Sequence, residues 1–116
     1  MSRVLVCGGR EFSDRKMLRA YLDELHADRR IATLIQGGAR GADRLAAAWA
    51  RDRGIAVSTY LADWDRHKKA AGAIRNAMML ANGKPDLVVA FPGGAGTRDM
   101  IRKARAKLVP VVEVSE

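Results

Sequence analysis

Cysteine is almost absent from this chain: Cys7 is the only one among 116 residues, so no disulfide can close within it, and no metal-ligand spacing involves it. A lone thiol fits a reducing compartment, and a cytoplasmic protein is expected. Long apolar runs are also missing. Nothing approaches the roughly 20 residues of a membrane span, and Met1 leads into a short apolar segment without a secretory h-region, so no membrane partner is expected. Two familiar glycine signatures are absent too. Gly37, Gly38 and Gly41 do not form GxGxxG, and no GK[ST] P-loop occurs, which sets aside ordinary hydride chemistry and NTP hydrolysis. Aromatic residues make up 5% and do not interleave with a basic stripe, which leaves little stacking surface for single strands. No internal repeat, low-complexity tract or linker interrupts the chain.

What is present is a βα alternation. With 48% apolar residues the chain can bury one core but hardly two, and one domain over residues 1–116 is expected. Short apolar runs predict strands over 4–7, 33–35, 56–60, 87–91 and 109–114, most of them continuously apolar, as strands covered on both faces must be. Between them lie helical periodicities. The first helix starts near Asp14 with Ser13 as N-cap and places Met17, Leu18, Tyr21, Leu22 and Leu25 on one face. The second, over 42–52, offers Leu45, Ala46 and Trp49 and stops at Gly54. A third, over 67–81, aligns Ala70, Ala71, Ile74 and Met78, and a fourth carries Met100, Ile101, Ala104 and Leu108. Pro110 stands at a strand start, where a missing N–H does least harm. The pattern predicts an α/β domain with a five-stranded parallel sheet in the order 3-2-1-4-5 and helices on both faces. Its ligand belongs at the carboxyl ends of the strands, at the switch point between strands one and four.

Three of the first four strands end in a glycine pair: Cys7-Gly8-Gly9-Arg10, Gln36-Gly37-Gly38-Ala39-Arg40-Gly41 and Pro92-Gly93-Gly94-Ala95-Gly96-Thr97. All three are expected on one rim. Without Cβ atoms such turns let a phosphate approach backbone N–H groups at the start of the next helix, and Thr97 adds a hydroxyl. Arg10, Arg40, Arg44, Arg75 and Arg98 gather near the same junctions, and guanidinium forks suit phosphate. The formal net charge of +8 attracts anions in general and accounts for some of these arginines as plain basic surface. Arg75 and Arg10 are the strongest candidates.

The Pro92–Thr97 turn, with the earlier Gly37-Gly38-Ala39-Arg40-Gly41-Ala42-Asp43, resembles the SLOG superfamily and within it the small bacterial and phage YspA-type (cpYpsA-related) branch, where segments 4–12, 36–43, 62–76 and 86–99 match in order. The resemblance covers essentially the whole chain. It implies a Rossmann-like sheet whose glycine turns hold a nucleotide or nucleotide-derived ligand. It is also similar, more distantly, to the LOG phosphoribohydrolases, the lysine decarboxylase-like PGGxGT family, which cleave the N-glycosidic bond of nucleoside monophosphates and are typically dimers. In the LOG pattern a catalytic glutamate follows the PGGxGT turn after two residues, and an upstream helical arginine binds the substrate. Arg75 falls at that arginine. The glutamate position is Met100, and a thioether cannot steer a water or stabilise an oxocarbenium-like centre; the acidic Asp99 stands one residue earlier, about 100° away around the helix. Asp99 with Arg75 is thus the catalytic pair only if the chain is an enzyme. The other reading of Asp99 is a favourable charge at the positive end of helix four.

Asp43 has three readings: a sugar hydroxyl's partner, an orienter of Arg40, or a helix-dipole charge. Glu11 is a rim carboxylate and a candidate base, or a solvated loop charge. Trp64 is a surface for a base or an anchor of its loop to the core or to a partner subunit, and the usual burial of tryptophan favours the anchor. His67 reads as a solvated helix start and Cys7 as a small buried thiol. No metal site and no cofactor are identified; the ligand expected is a nucleotide, on Gly8, Gly9, Arg10, Gly37, Gly38, Arg40, Gly41, Asp43, Arg75, Pro92, Gly93, Gly94, Gly96 and Thr97. Three functions fit, in this order: a nucleotide-binding module or sensor, a nucleotide N-glycosidic hydrolase, and a single-stranded nucleic-acid binder. A homodimer is expected from the resemblance and from Met78 and Met79 on the third helix.

Overall fold

A computed structural model describes residues 2–115 of the chain. Five strands, β1 (Ser2–Cys7), β2 (Ile31–Gln36), β3 (Ala56–Thr59), β4 (Leu87–Ala90) and β5 (Val111–Glu113), form one sheet in the order β3-β2-β1-β4-β5. Every pairing is parallel. The expected Rossmann-like topology is therefore the observed one, with the winding reversing between β1 and β4. There the register sets Val4 against Leu87 and Cys7 against Ala90, so both strands end level.

Strand periodicity divides the core in two. Val4 and Val6 of β1, Leu34 of β2 and Leu87 and Val89 of β4 face one cluster, closed by Leu18 and Leu22 of α1 (Arg15–Asp28) and Ala46 and Trp49 of α2 (Ala42–Asp52). Leu5, Cys7, Ile35, Val88 and Ala90, one residue out of phase, face the other, closed by Met79 and Leu80 of α4 (Ala71–Gly83) and Met100 and Ala104 of α5 (Ala95–Ala106). Central strands are thus apolar at every position because both of their faces are covered. Each fully buried leucine or valine contributes roughly 1.5–3 kcal/mol. Gly54 ends α2 as expected, at φ 70°, with its N–H donated to the Arg51 carbonyl.

Four local expectations are corrected. The N-cap of α1 is Asp14, whose Oδ1 accepts the Met17 N–H at 3.0 Å; Ser13 and Asp14 are adjacent good caps, and the carboxylate takes the role. The helix expected over 67–81 is broken. A one-turn α3 (Trp64–His67), capped by Asp63, ends at Lys68 with φ 53°, and a 3₁₀ turn (Lys68–Ala70) leads into α4. That break rotates the buried face of α4 to Ala71, Asn76, Met79, Leu80 and Gly83, leaving Ala70 and Met78 exposed. Leu108 is off α5 altogether. The helix closes in a Schellman turn, with Leu108 N–H on Arg105 O and Val109 N–H on Ala104 O, and Leu108 occupies the left-handed position at φ 61° with 91% of its surface exposed. The edge strands are shorter than expected, β3 stopping at Thr59 and β5 at Glu113. Edges this short resist pairing with other chains.

Candidate functional site

All three glycine turns leave the carboxyl ends of β1, β2 and β4 on one rim. The β1 and β4 turns are tied together, because Gly9 N–H donates to the Pro92 carbonyl at 2.9 Å. Over these joined turns, at the switch point, lies a cleft of about 830 Å³, a size suited to a small ligand. Gly8, Gly9 and Arg10 line it from β1, Pro92, Gly93, Gly94, Gly96, Thr97 and Asp99 from β4 and α5, and Asp43, Trp64, Arg75 and Asn76 from the other side. Gly37, Gly38 and Arg40 lie elsewhere. They line a second, smaller cleft of about 490 Å³ over the end of β2, which shares Arg10, Ala39, Trp64 and Arg75 with the first. Gly41 lines neither, and Arg98, expected beside the turns, is exposed away from both.

The glycines separate by what surrounds them. Gly41 has φ 82° as N-cap of α2, and a Cβ there would strike the Gly9 carbonyl oxygen, so its role is to seat α2 beneath the β1 turn. A Cβ on Gly8 would come within 2.6 Å of Ala42 Cβ, and those on Gly9, Gly37 and Gly93 would crowd Pro92, Arg75 and Thr97 respectively. Gly94 and Gly96 differ. Neither has a positive φ, and a Cβ on either would meet no protein atom within 4 Å. Gly94 is also the N-cap of α5, with no side-chain cap and no acidic residue in the first turn. The opening N–H groups of α5 thus face the cleft without a capping carboxylate.

Asp43 is 6% exposed in the first turn of α2, and its Oδ2 accepts the N–H groups of Gly37 and Ala39, each at 3.2 Å. Burial raises its pKa, against the lowering effect of the Ala39 hydrogen bond and the Arg75 charge. It holds the β2 turn; it does not orient Arg40, which instead pairs with exposed Glu11 at 2.5 Å. Arg75 reaches from α4 to the Gly37 carbonyl through Nη1 at 2.9 Å and to Asn76 Oδ1 through Nε at 3.1 Å. Burial lowers its pKa, Asp43 opposes that, and Arg10 adds to it. Cys7 is buried below the rim and pushed up to about 12 by burial and then by the Asp43 charge, so it is the inert thiol expected.

Two features of α5 and α3 revise the sequence reading. Asp99 lines the cleft while Met100 is fully buried in the second core cluster, so the carboxylate, and not residue 100, faces the cleft. Asp99 is engaged: Oδ2 accepts from Lys103 Nζ at 2.6 Å and Asn76 Nδ2 at 3.0 Å, and Oδ1 from Arg102 at 2.5 Å. Burial would raise its pKa, but the bonds from Lys103 and Asn76 outweigh it and the net shift is downward. Trp64 is no core anchor. It is 47% exposed on α3 as a wall of both clefts, with the Arg10 guanidinium 5.4 Å from its ring centroid.

Sequence reasoning passed over Asn76 and Gln36. Asn76 is 4% exposed and donates Nδ2 to the Gly96 carbonyl as well as to Asp99, tying α4 to the first turn of α5. Its signal was an amide in register with Met79, Leu80 and Gly83 on a buried face. Gln36, equally buried, bridges Gly38 N–H and Thr59 Oγ1, both at 2.6 Å, and shapes the β2 turn.

The chain has measurable relatives. The family model described as YAcAr, the YspA, cpYpsA-related SLOG family, matches residues 2–67. The "Gene 61 protein" of Mycobacterium phage D29 is 40% identical over 124 residues, covering 100% of this chain and 98% of the phage protein. Among solved structures, glycinamide ribonucleotide transformylase 1 from Symbiobacterium toebii superposes with a TM-score of 0.47 at 23% identity, over 78% of this chain and 41% of that one. The family model takes in more than half of the 116 residues and the phage protein aligns along all of them: the chain belongs to the YspA, cpYpsA-related SLOG family.

Proposed function

We propose that the chain is a nucleotide-binding module whose ligand places a phosphate against the opening N–H groups of α5 and its sugar and base along the cleft between the β1 turn and Trp64. Gly94 and Gly96 carry this reading. Packing accounts for glycine at positions 8, 9, 37, 41 and 93, but nothing in the protein requires it at 94 or 96. An anion at close range does, because a Cβ at either position would enter the space it needs. The uncapped helix start supplies donors and partial positive charge, and Arg75 and Arg10 supply full charge nearby. SLOG family membership supports nucleotide-related binding or processing.

Binding is favoured over N-glycoside hydrolysis by the state of the carboxylates. Met100 is core, and Asp99 has both oxygens bonded to cations or an amide, which lowers its basicity and fixes its place. The test is proton NMR of AMP with the protein, read at once for ligand line-broadening and over hours for free adenine. Broadening by the wild type, lost in Gly94→Val and Arg75→Ala with the thermal midpoint of Gly94→Val retained, is the expected result. Broadening unchanged in both variants would overturn the placement. Release of adenine would replace the binding module with a hydrolase.

A further inference from the structure

The second cleft, over the end of β2, is built differently from the first. Arg10, Arg40, Arg44 and Arg75 line it and no carboxylate does, whereas Glu11, Asp43 and Asp99 all line its neighbour. Among the described residues, Arg10, Arg44 and Arg75 have no carboxylate within 4 Å; only Arg40 does, through Glu11. Arg10 spends its guanidinium over the Trp64 ring, and its charge disfavours the proton on Arg75, so the cations are close enough to repel one another. Asp43, buried beneath, and Glu11, on Arg40, are the carboxylates whose charge reaches this group, so four guanidiniums face two counter-charges, and such a local excess of like charge destabilises a fold and marks functional sites. The same cleft collects Leu61, 74% exposed, and Trp64, two of the five large apolar side chains the described residues leave exposed. An excess of guanidiniums beside a flat apolar face is the chemistry of a phosphate joined to a ring.

We infer that the arginine-lined cleft over β2 is a second phosphate subsite, so that the ligand is a nucleotide carrying two separate phosphate groups, one at the start of α5 and the other among Arg10, Arg40 and Arg44. The inference rests on the nucleotide reading of the first cleft. The two clefts share Arg10, Trp64 and Arg75 as a common wall, which lets one small molecule occupy both. A small nucleotide fits better than a long strand, because the cleft walls hold one exposed indole and no row of aromatics along which successive bases would stack.

Arg44 lines only the second cleft, so it isolates the new subsite. Calorimetric titration of the whole chain and of Arg44→Ala with AMP, adenosine 3′,5′-bisphosphate and the dinucleotide pApA is the experiment. The bisphosphate is expected to bind about tenfold more tightly than AMP, the worth of one charge-assisted contact, and Arg44→Ala to erase that difference while leaving AMP binding unchanged. Equal affinity for AMP and the bisphosphate, or an advantage that survives Arg44→Ala, overturns the second subsite but leaves the first cleft standing. A gain shown by pApA alone assigns the arginines to nucleic acid and overturns the small-nucleotide class. Failure of AMP and the bisphosphate alike to bind overturns the nucleotide reading itself.

Discussion

A thioether at position 100 and a carboxylate at position 99 decide how far the chemistry of this site extends. Met100 has no exposure and lies among Leu5, Ile35, Met79 and Val88, where a carboxylate would find no partner. An uncompensated buried charge destabilises by about 3–5 kcal/mol, a large share of the roughly 5–15 kcal/mol that holds a domain folded. Met100→Glu is therefore expected to lower the urea midpoint sharply and to confer no hydrolysis, whereas Met100→Leu, which conserves volume, changes stability by less than about 1.5 kcal/mol. Equal urea midpoints for the two variants would show that residue 100 is not held in the core. Sequence spacing identified the position. It did not show that the side chain one residue earlier is the one that lines the cleft.

Helices α4 and α5 are joined at the site by polar contacts as well as by apolar ones. Asn76 spans from α4 to the Gly96 carbonyl and to Asp99, while Lys103 reaches back to Asp99 and to the Ala73 carbonyl. These contacts hold the first turn of α5 in the position that the phosphate reading requires. Asp99 has a folded pKa below its ordinary 3.8, so its ionised form stabilises the fold above about pH 3.8 and that stabilisation is lost as pH falls through the depressed value. Asp99→Asn is expected to unfold at a lower temperature than the wild type at pH 7, by roughly 4 °C per kcal/mol lost, with the gap closing below about pH 3.8. A gap of constant size from pH 7 down to pH 3 would mean the carboxylate charge takes no part in the clamp. None of this clamp follows from helical periodicity, because the break at Lys68 rotates α4 and brings Asn76, in place of Ile74 and Met78, to the buried face.

Over the whole molecule the excess of Lys and Arg gives a net charge of +8, and no described helix is long and apolar enough to cross a membrane. Positive charge of this size raises the local concentration of any anion, but only charges close to the ligand hold it specifically. Raising salt from about 0.1 to about 1 M shortens the screening length from about 10 to about 3 Å. AMP affinity is expected to weaken over that range while adenosine affinity stays level, measured by the same calorimetry. If both nucleoside and nucleotide respond alike, the phosphate is not what the arginines and the α5 start recognise.

The sequence by itself determined the architecture. Continuous apolar strands, amphipathic helices and glycine pairs at strand ends allow few chain paths other than a doubly wound parallel sheet, because burying both faces of each central strand demands it. It also named the rim, since the turns after β1, β2 and β4 must all emerge at the carboxyl ends of parallel strands. Tertiary structure alone decided the rest. Glycines that look equivalent in sequence divide into those crowded by neighbours, as at Gly41, and those facing open space, as at Gly94, because crowding is a property of distant segments brought together. The division of one rim into two clefts, with Trp64 and Arg10 as their shared wall, has the same origin: it depends on where the turn after β3 comes to rest against that after β1, more than fifty residues away in the chain.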